Sequence, residues 1–204
     1  MNINKYPEIK PGTKNLKKLY VAIMLWIVGK AIEAGYKVDK VIRKEFDSLP
    51  ENFCFTLRLL PERRHPASIL AKIVPDFIQD RGWLPIGTQM IVGKDKKGKI
   101  RYMGSNPRGK KITLYMNLRN IEGAIKVFTF QESTAVAFAH ERFVVEGDLP
   151  QALAVVRVLD IIEVYLLPKI IARLAVKRYP KWSEMSPLKK YVNRVLVYIR
   201  AFTF

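Results

Sequence analysis

The sequence predicts an α+β fold with five strands, and three observations carry that expectation. Apolar residues alternate strictly at 53–59 and 112–118, as in strands with a buried face. A strand runs through a tight turn into a capped helix between Arg142 and Leu153. Two segments, 19–35 and the one after Asp148, are apolar around most of their girth, as buried helices are. With 204 residues, 49% of them apolar, the chain can build one sizeable core with appended helices.

Residues 1–18 hold Pro7, Pro11 and Gly12 among lysines and read as a flexible lead-in. The helix over 19–35 has its most apolar part at 19–29, short of the ~20 residues a membrane span needs. Its long polar lead, and Lys30, Glu33 and Lys37 behind it, do not make a signal peptide. From 36 to 46 the pattern is amphipathic, with Val38, Val41, Ile42 and Phe46 opposite Lys37, Lys40, Arg43 and Lys44. Gly35 is expected to separate the two helices. The first strand turns Phe53, Phe55, Leu57 and Leu59 to the core and Cys54, Thr56 and Arg58 away. An insertion at 61–82 follows, with a helical patch interrupted by Pro75.

Strands at 88–92, 99–103 and 112–118 read as a meander, with turns at 94–98 and 106–109. The run Gly104-Ser105-Asn106-Pro107-Arg108-Gly109-Lys110-Lys111 nearly spells a phosphate-binding loop. It lacks the Ser or Thr after its lysine and precedes a strand, so it reads as a basic turn. Two short helices at 120–130 and 133–139 lead to the last strand, 142–146. Gly147 then frees the backbone for a sharp turn, Asp148 caps a helix and Pro150 sits in its first turn. That helix carries a thin polar stripe, Gln151, Arg157, Asp160 and Glu163, and ends by Pro168. Beyond a linker around Trp182, the final segment places Leu188, Tyr191, Val192, Val195, Leu196, Ile199 and Phe202 on one face and Lys189, Lys190, Arg194 and Arg200 elsewhere. Basic amphipathic helices of this kind lie in a membrane interface or dock as a lid.

The net charge of +18 calls for an anionic partner: nucleic acid, a membrane surface or an acidic ligand. No helix-turn-helix, zinc finger or ribonucleoprotein signature accompanies it, which disfavours nucleic acid. Cys54 is the only cysteine, so an internal disulfide and a cysteine zinc cluster are excluded and a reducing cytoplasmic compartment fits. The two histidines, His65 and His140, lack metal-ligand spacing. No catalytic residue, metal or cofactor is expected, because no nucleophile or acid–base pair stands out.

The signature Val144-Val145-Glu146-Gly147-Asp148, with the order of elements around it, resembles the sterol carrier protein 2 family. The resemblance spans roughly 38–168 and rests mostly on 112–149. It implies a five-stranded, mostly antiparallel sheet covered by helices and enclosing an apolar cavity that accepts sterols, acyl chains or phospholipids, without covalent chemistry. Three parts follow: a lead and apolar helix over 1–37, a lipid-binding domain over 38–168, and a basic helical tail over 169–204. The expected function is a non-enzymatic lipid, sterol or isoprenoid carrier, cytoplasmic and peripherally associated with anionic membranes. The alternatives are an accessory subunit presenting a hydrophobic intermediate to partner enzymes of isoprenoid-quinone or lipid biosynthesis, and a nucleic-acid-binding protein. Phe53, Phe55, Leu57, Leu114, Met116, Phe138, Phe143 and Val145 are the candidate ligand contacts. Lys189, Lys190, Arg194 and Arg200 are the candidate membrane contacts.

Overall fold

The computed structural model describes residues 15–60, 88–105, 109–129, 131–132, 134–166, 192 and 195–200. In chain order the elements are α1 (Asn15–Val38), α2 (Lys40–Asp47), β1 (Cys54–Leu59), β2 (Gln89–Lys94), β3 (Ile100–Tyr102), β4 (Leu114–Leu118), α3 (Ile121–Phe128), α4 (Thr134–Ala139), β5 (Phe143–Glu146) and α5 (Leu149–Leu166). The predicted insertion at 61–82 lies outside the described residues, as do Lys189, Lys190 and Arg194.

The five strands form one sheet in the order β3-β2-β1-β4-β5. Three of its pairings are antiparallel, and the central one, β1 with β4, is parallel. The predicted meander is therefore wrong at its last step. Between β3 and β4 the chain passes from one edge of the sheet to the far side of β1, three strand positions or ~14 Å at ordinary spacing. Leu57 consequently faces Met90 on one side and Met116 on the other.

A second expectation, that β1 buries one face, also fails. Cys54 and Thr56 are as fully buried as Phe55, and Ile91 and Asn117 are buried beside them. Cys54, Ile91 and Met103 form a small apolar cluster of their own, with Ile112 against it. The polar members of this face are satisfied within the sheet. Thr56 Oγ1 donates to the Met90 carbonyl at 3.0 Å, Arg58 Nε to Asn117 Oδ1 at 2.6 Å, and Asn117 Nδ2 to Glu146 Oε1 at 2.7 Å.

The helices cover the opposite face. By length and composition α1 would suffice to cross a membrane, but 56% of its apolar window is buried in the protein. Val21, Leu25, Ala31 and Ile32 belong to the main core, which accounts for its apolar girth. The helix does not break at Gly35. A Cβ there would stand 2.8 Å from Ile162 Cδ1 and 2.9 Å from Ile42 Cδ1, so the glycine serves the close approach of α2 and α5. The break comes at Asp39, whose extended backbone and side chain, accepting from the Val41 amide at 2.6 Å, cap α2. Asp39 also accepts a hydrogen bond from the Tyr165 hydroxyl, tying both helices to α5. Arg43 closes the end of α1 by donating to the carbonyls of Tyr36 and Lys37 at 3.2 and 2.9 Å. Ile42 and Phe46 are buried as the amphipathic pattern requires, whereas Val41 is exposed.

The strand-to-helix turn is as the sequence reads. Gly147 takes a φ of 136°, and the Asp148 carbonyl accepts from the Ala152 amide at 3.0 Å, the first bond of α5. A Cβ on Gly147 would lie 2.8 Å from the Thr113 carbonyl oxygen, so both torsion and space exclude a side chain. At the other end of the chain, residues 195–200 are helical with Val197 buried in the core and Val192, Val195 and Ile199 exposed. The described part of the predicted apolar face thus points outward. Gly147→Ala is expected to lower stability by about 1–3 kcal/mol, read as a fall in the urea midpoint with an unchanged slope.

Candidate ligand pocket

The helical layer meets the sheet over a pocket walled by residues from both layers. Leu57 of β1 and Phe143 of β5 form its floor, and Val28 of α1 with Val127 and Phe128 of α3 close one side. Leu159, Ile162, Glu163 and Leu166 of α5 with Thr134 of α4 close the other. Its volume is about 20 Å³. That admits one water-sized group and is far from the open tunnel that a bound acyl chain would fill.

Of the eight candidate contacts, Leu57 and Phe143 reach this pocket. Phe53, Phe55, Leu114 and Met116 are fully buried on the helix-facing side and pack as core, while Phe138 and Val145 are partly buried against it. Phe53 and Phe55 extend an aromatic row, their rings 5.8 Å apart and Phe46 6.5 Å beyond Phe53. Arg200, the one described candidate for membrane contact, is exposed.

The polar content of the pocket is Thr134 and Glu163. Thr134 Oγ1 donates to Glu163 Oε1, and its backbone amide also bonds the carboxyl. Glu163 Oε2 has no hydrogen-bond partner among the described residues. Burial disfavours the charged form and is the largest influence on this group, pushing its pKa up to about 7. The bonds from Thr134 pull it down, and the Asp160 carboxylate one turn away pushes it further up. Near neutral pH the group therefore exists in both states, and as the acid it presents a donor to an otherwise apolar space.

Sequence reasoning placed Glu163 on one thin polar stripe with Arg157. The signal against that grouping was available, because six positions along a helix turn a side chain by ~240°. Arg157 is exposed and pairs with Glu45 of α2 at 2.8 Å, on a different side from Glu163. The Gln151 side-chain oxygen, on the same helix, is also buried without a hydrogen-bond partner among the described residues, whereas two other buried groups are accounted for by their surroundings. The Lys94 ammonium donates to the Leu49 carbonyl at 2.6 Å just past the end of α2. Burial raises the Cys54 thiol pKa, with Lys110 opposing, which keeps the sulfur unreactive. Among the described residues no group of His, Cys, Asp and Glu could hold a metal ion, and His140 sits exposed beyond α4.

No family model, curated protein or solved structure matches the chain. Function must accordingly be read from the pocket and the surface.

The raised pKa of Glu163 has a sign. The fold binds this proton more tightly than the unfolded chain does, so its stabilising contribution is complete below pH ~4.5 and is lost as pH rises through about 7. Glu163→Gln keeps an acceptor for Thr134 and removes the titration. Relative to wild type it is expected to gain up to roughly 3 kcal/mol between pH 5 and pH 8. Denaturant midpoints across that window check this, and parallel pH profiles for the two proteins would refute it.

Proposed function

We propose that the protein is a non-enzymatic carrier that holds a lipid, sterol or isoprenoid between its sheet and its helices and docks on anionic membranes. The observation that carries the reading is Glu163, a buried carboxyl with an unpartnered oxygen in a pocket whose other walls, Thr134 apart, are apolar. One polar group in an apolar site suits an amphiphile, whose head it orients while the walls take the chain. Loading such a ligand requires the helical layer to part from β1 and β5 around this pocket. A carrier of this kind could equally present its cargo to a biosynthetic enzyme, which is the same chemistry with a different acceptor.

The docking half rests on charge and on the last described turn. The net charge of +18 favours an anionic surface, where each nearby Lys or Arg contributes about 1 kcal/mol. The exposed Val195 and Ile199 beside Arg200 present apolar and cationic groups together, as interfacial helices do. Lys189, Lys190 and Arg194 belong to the same proposal. Nucleic acid is favoured by charge alone.

Two measurements test the reading. Solvent extraction of the purified protein followed by mass spectrometry should release an apolar molecule, and a fluorescent fatty acid should bind competitively with it; an empty extract and no binding would sink the carrier. Separately, the protein should float with phosphatidylglycerol vesicles and not with phosphatidylcholine, and raised salt should release it. Val195→Glu with Ile199→Glu should weaken flotation by about tenfold without moving the urea midpoint, since both side chains are exposed. Flotation indifferent to both salt and substitution would remove the docking half.

A further inference from the structure

A second hollow, about 480 Å³, lies where the C-terminal end of α1, the edge strand β3 and the helical turn 195–200 meet. It is lined by Tyr36, Lys37, Lys99, Ile100, Arg101 and Arg200, none of which touches the Glu163 pocket. Its volume falls in the range of small-molecule sites, ~300–1,000 Å³.

Four of these six residues are cations, and among the described residues no carboxylate lines the hollow. Two of the charges are compensated from outside it. Lys37 pairs with Glu33 at 2.9 Å and Arg101 with Asp95 at 3.2 Å. Asp95 is further occupied by the backbone amides of Lys97 and Lys99, at 2.8 and 2.9 Å, which fixes the turn between β2 and β3 and with it the position of Lys99. Lys99 and Arg200 have no ion-pair partner among the described residues, so the hollow retains about two positive charges. One wall is apolar, from the ring of Tyr36, while Ile100, 1% exposed, turns its side chain into the core between Lys99 and Arg101. The Tyr36 hydroxyl is turned away, donating to Asp47 at 2.8 Å, and the Arg43 guanidinium stands 5.8 Å from the ring centroid.

Two uncompensated cations, one a planar fork and one a compact ammonium, beside a small apolar wall match a dianion carried on a short organic stem. We propose that this hollow is a phosphate-monoester site, in which Lys99 and Arg200 hold the phosphate and the ring of Tyr36 meets the carbon to which it is attached. The phosphate belongs either to a soluble organic phosphate or to a lipid headgroup. In the second case the assignment rests on the docking reading above, and in neither case does it need the interior pocket.

The test uses the full chain, with glycerol 3-phosphate and inorganic phosphate as soluble probes in calorimetry and phosphatidic-acid vesicles in flotation. Phosphatidylserine vesicles of equal surface charge serve as the comparison. Lys99→Gln with Arg200→Gln should weaken binding by about tenfold or more, the effect expected from losing charge-assisted contacts. Lys44→Gln with Lys126→Gln removes the same charge from exposed positions on α2 and α3 and should change it by less than about twofold. Lys99 and Arg200 are exposed, so an unchanged urea midpoint is expected for both pairs. Binding of glycerol 3-phosphate without vesicle preference assigns a soluble ligand. Preference for phosphatidic acid without soluble binding assigns a headgroup. Equal loss in the two double variants, or no binding of any phosphate probe by the wild type, overturns the site. Vesicle binding that persists unchanged in the Lys99/Arg200 variant overturns it while leaving docking intact.

Discussion

Everything in this fold is arranged around a strand with no free edge. Strand β1 gives its backbone donors and acceptors to β2 on one side and to β4 on the other, so none needs water. A strand paired on both edges can sit in the deepest layer, and its side chains are buried on both faces in consequence. The helix-facing side supplies Phe53, Phe55, Leu57 and Leu59 to the main core. The other side supplies Cys54 to a small apolar cluster and Thr56 and Arg58 to hydrogen bonds that knit three strands together. The long helix α1 then lies across the sheet and meets α2 and α5 at Gly35, where a side chain would hold the helices apart.

Much of this was legible in the residues because periodicity reports which faces of an element are apolar. Alternation located β1 and β4, the girth of the apolar segments located α1 and α5, and the Gly147-Asp148 pair located the turn between β5 and α5. Periodicity does not report which edge pairs with which. The crossover that sets β4 beside β1 depends on contacts between residues such as Leu57 and Met116, far apart in sequence, and local pattern is blind to them. Gly35 was misread for the same reason. In a helical stretch a glycine signals a break by default, and only the approach of Ile162 from α5 reveals that it makes room instead.

The site was less legible than the fold. The alternating apolar positions marked as ligand contacts are mostly ordinary core, as alternation alone would make them, and two of the eight reach the pocket. The residue that distinguishes the pocket, Glu163, was hidden by its own polarity, since a charged residue on a mixed helix is assigned to water by default. Its burial costs stability whenever it ionises, and neither Thr134 nor the surrounding apolar walls compensate both of its oxygens. A group held at such a cost, beside a space shared by six elements, is where chemistry or recognition is to be sought.

The single thiol of the chain, Cys54, sits on the sheet face away from the helices, with no accessible surface and little tendency to ionise. An alkylating reagent reaches it only when that face is laid bare, so its modification rate is a built-in clock for opening of the sheet's far side. Because the Glu163 pocket lies on the opposite side, breathing of the helical layer leaves that clock unmoved, and the two faces of one sheet report their motions separately.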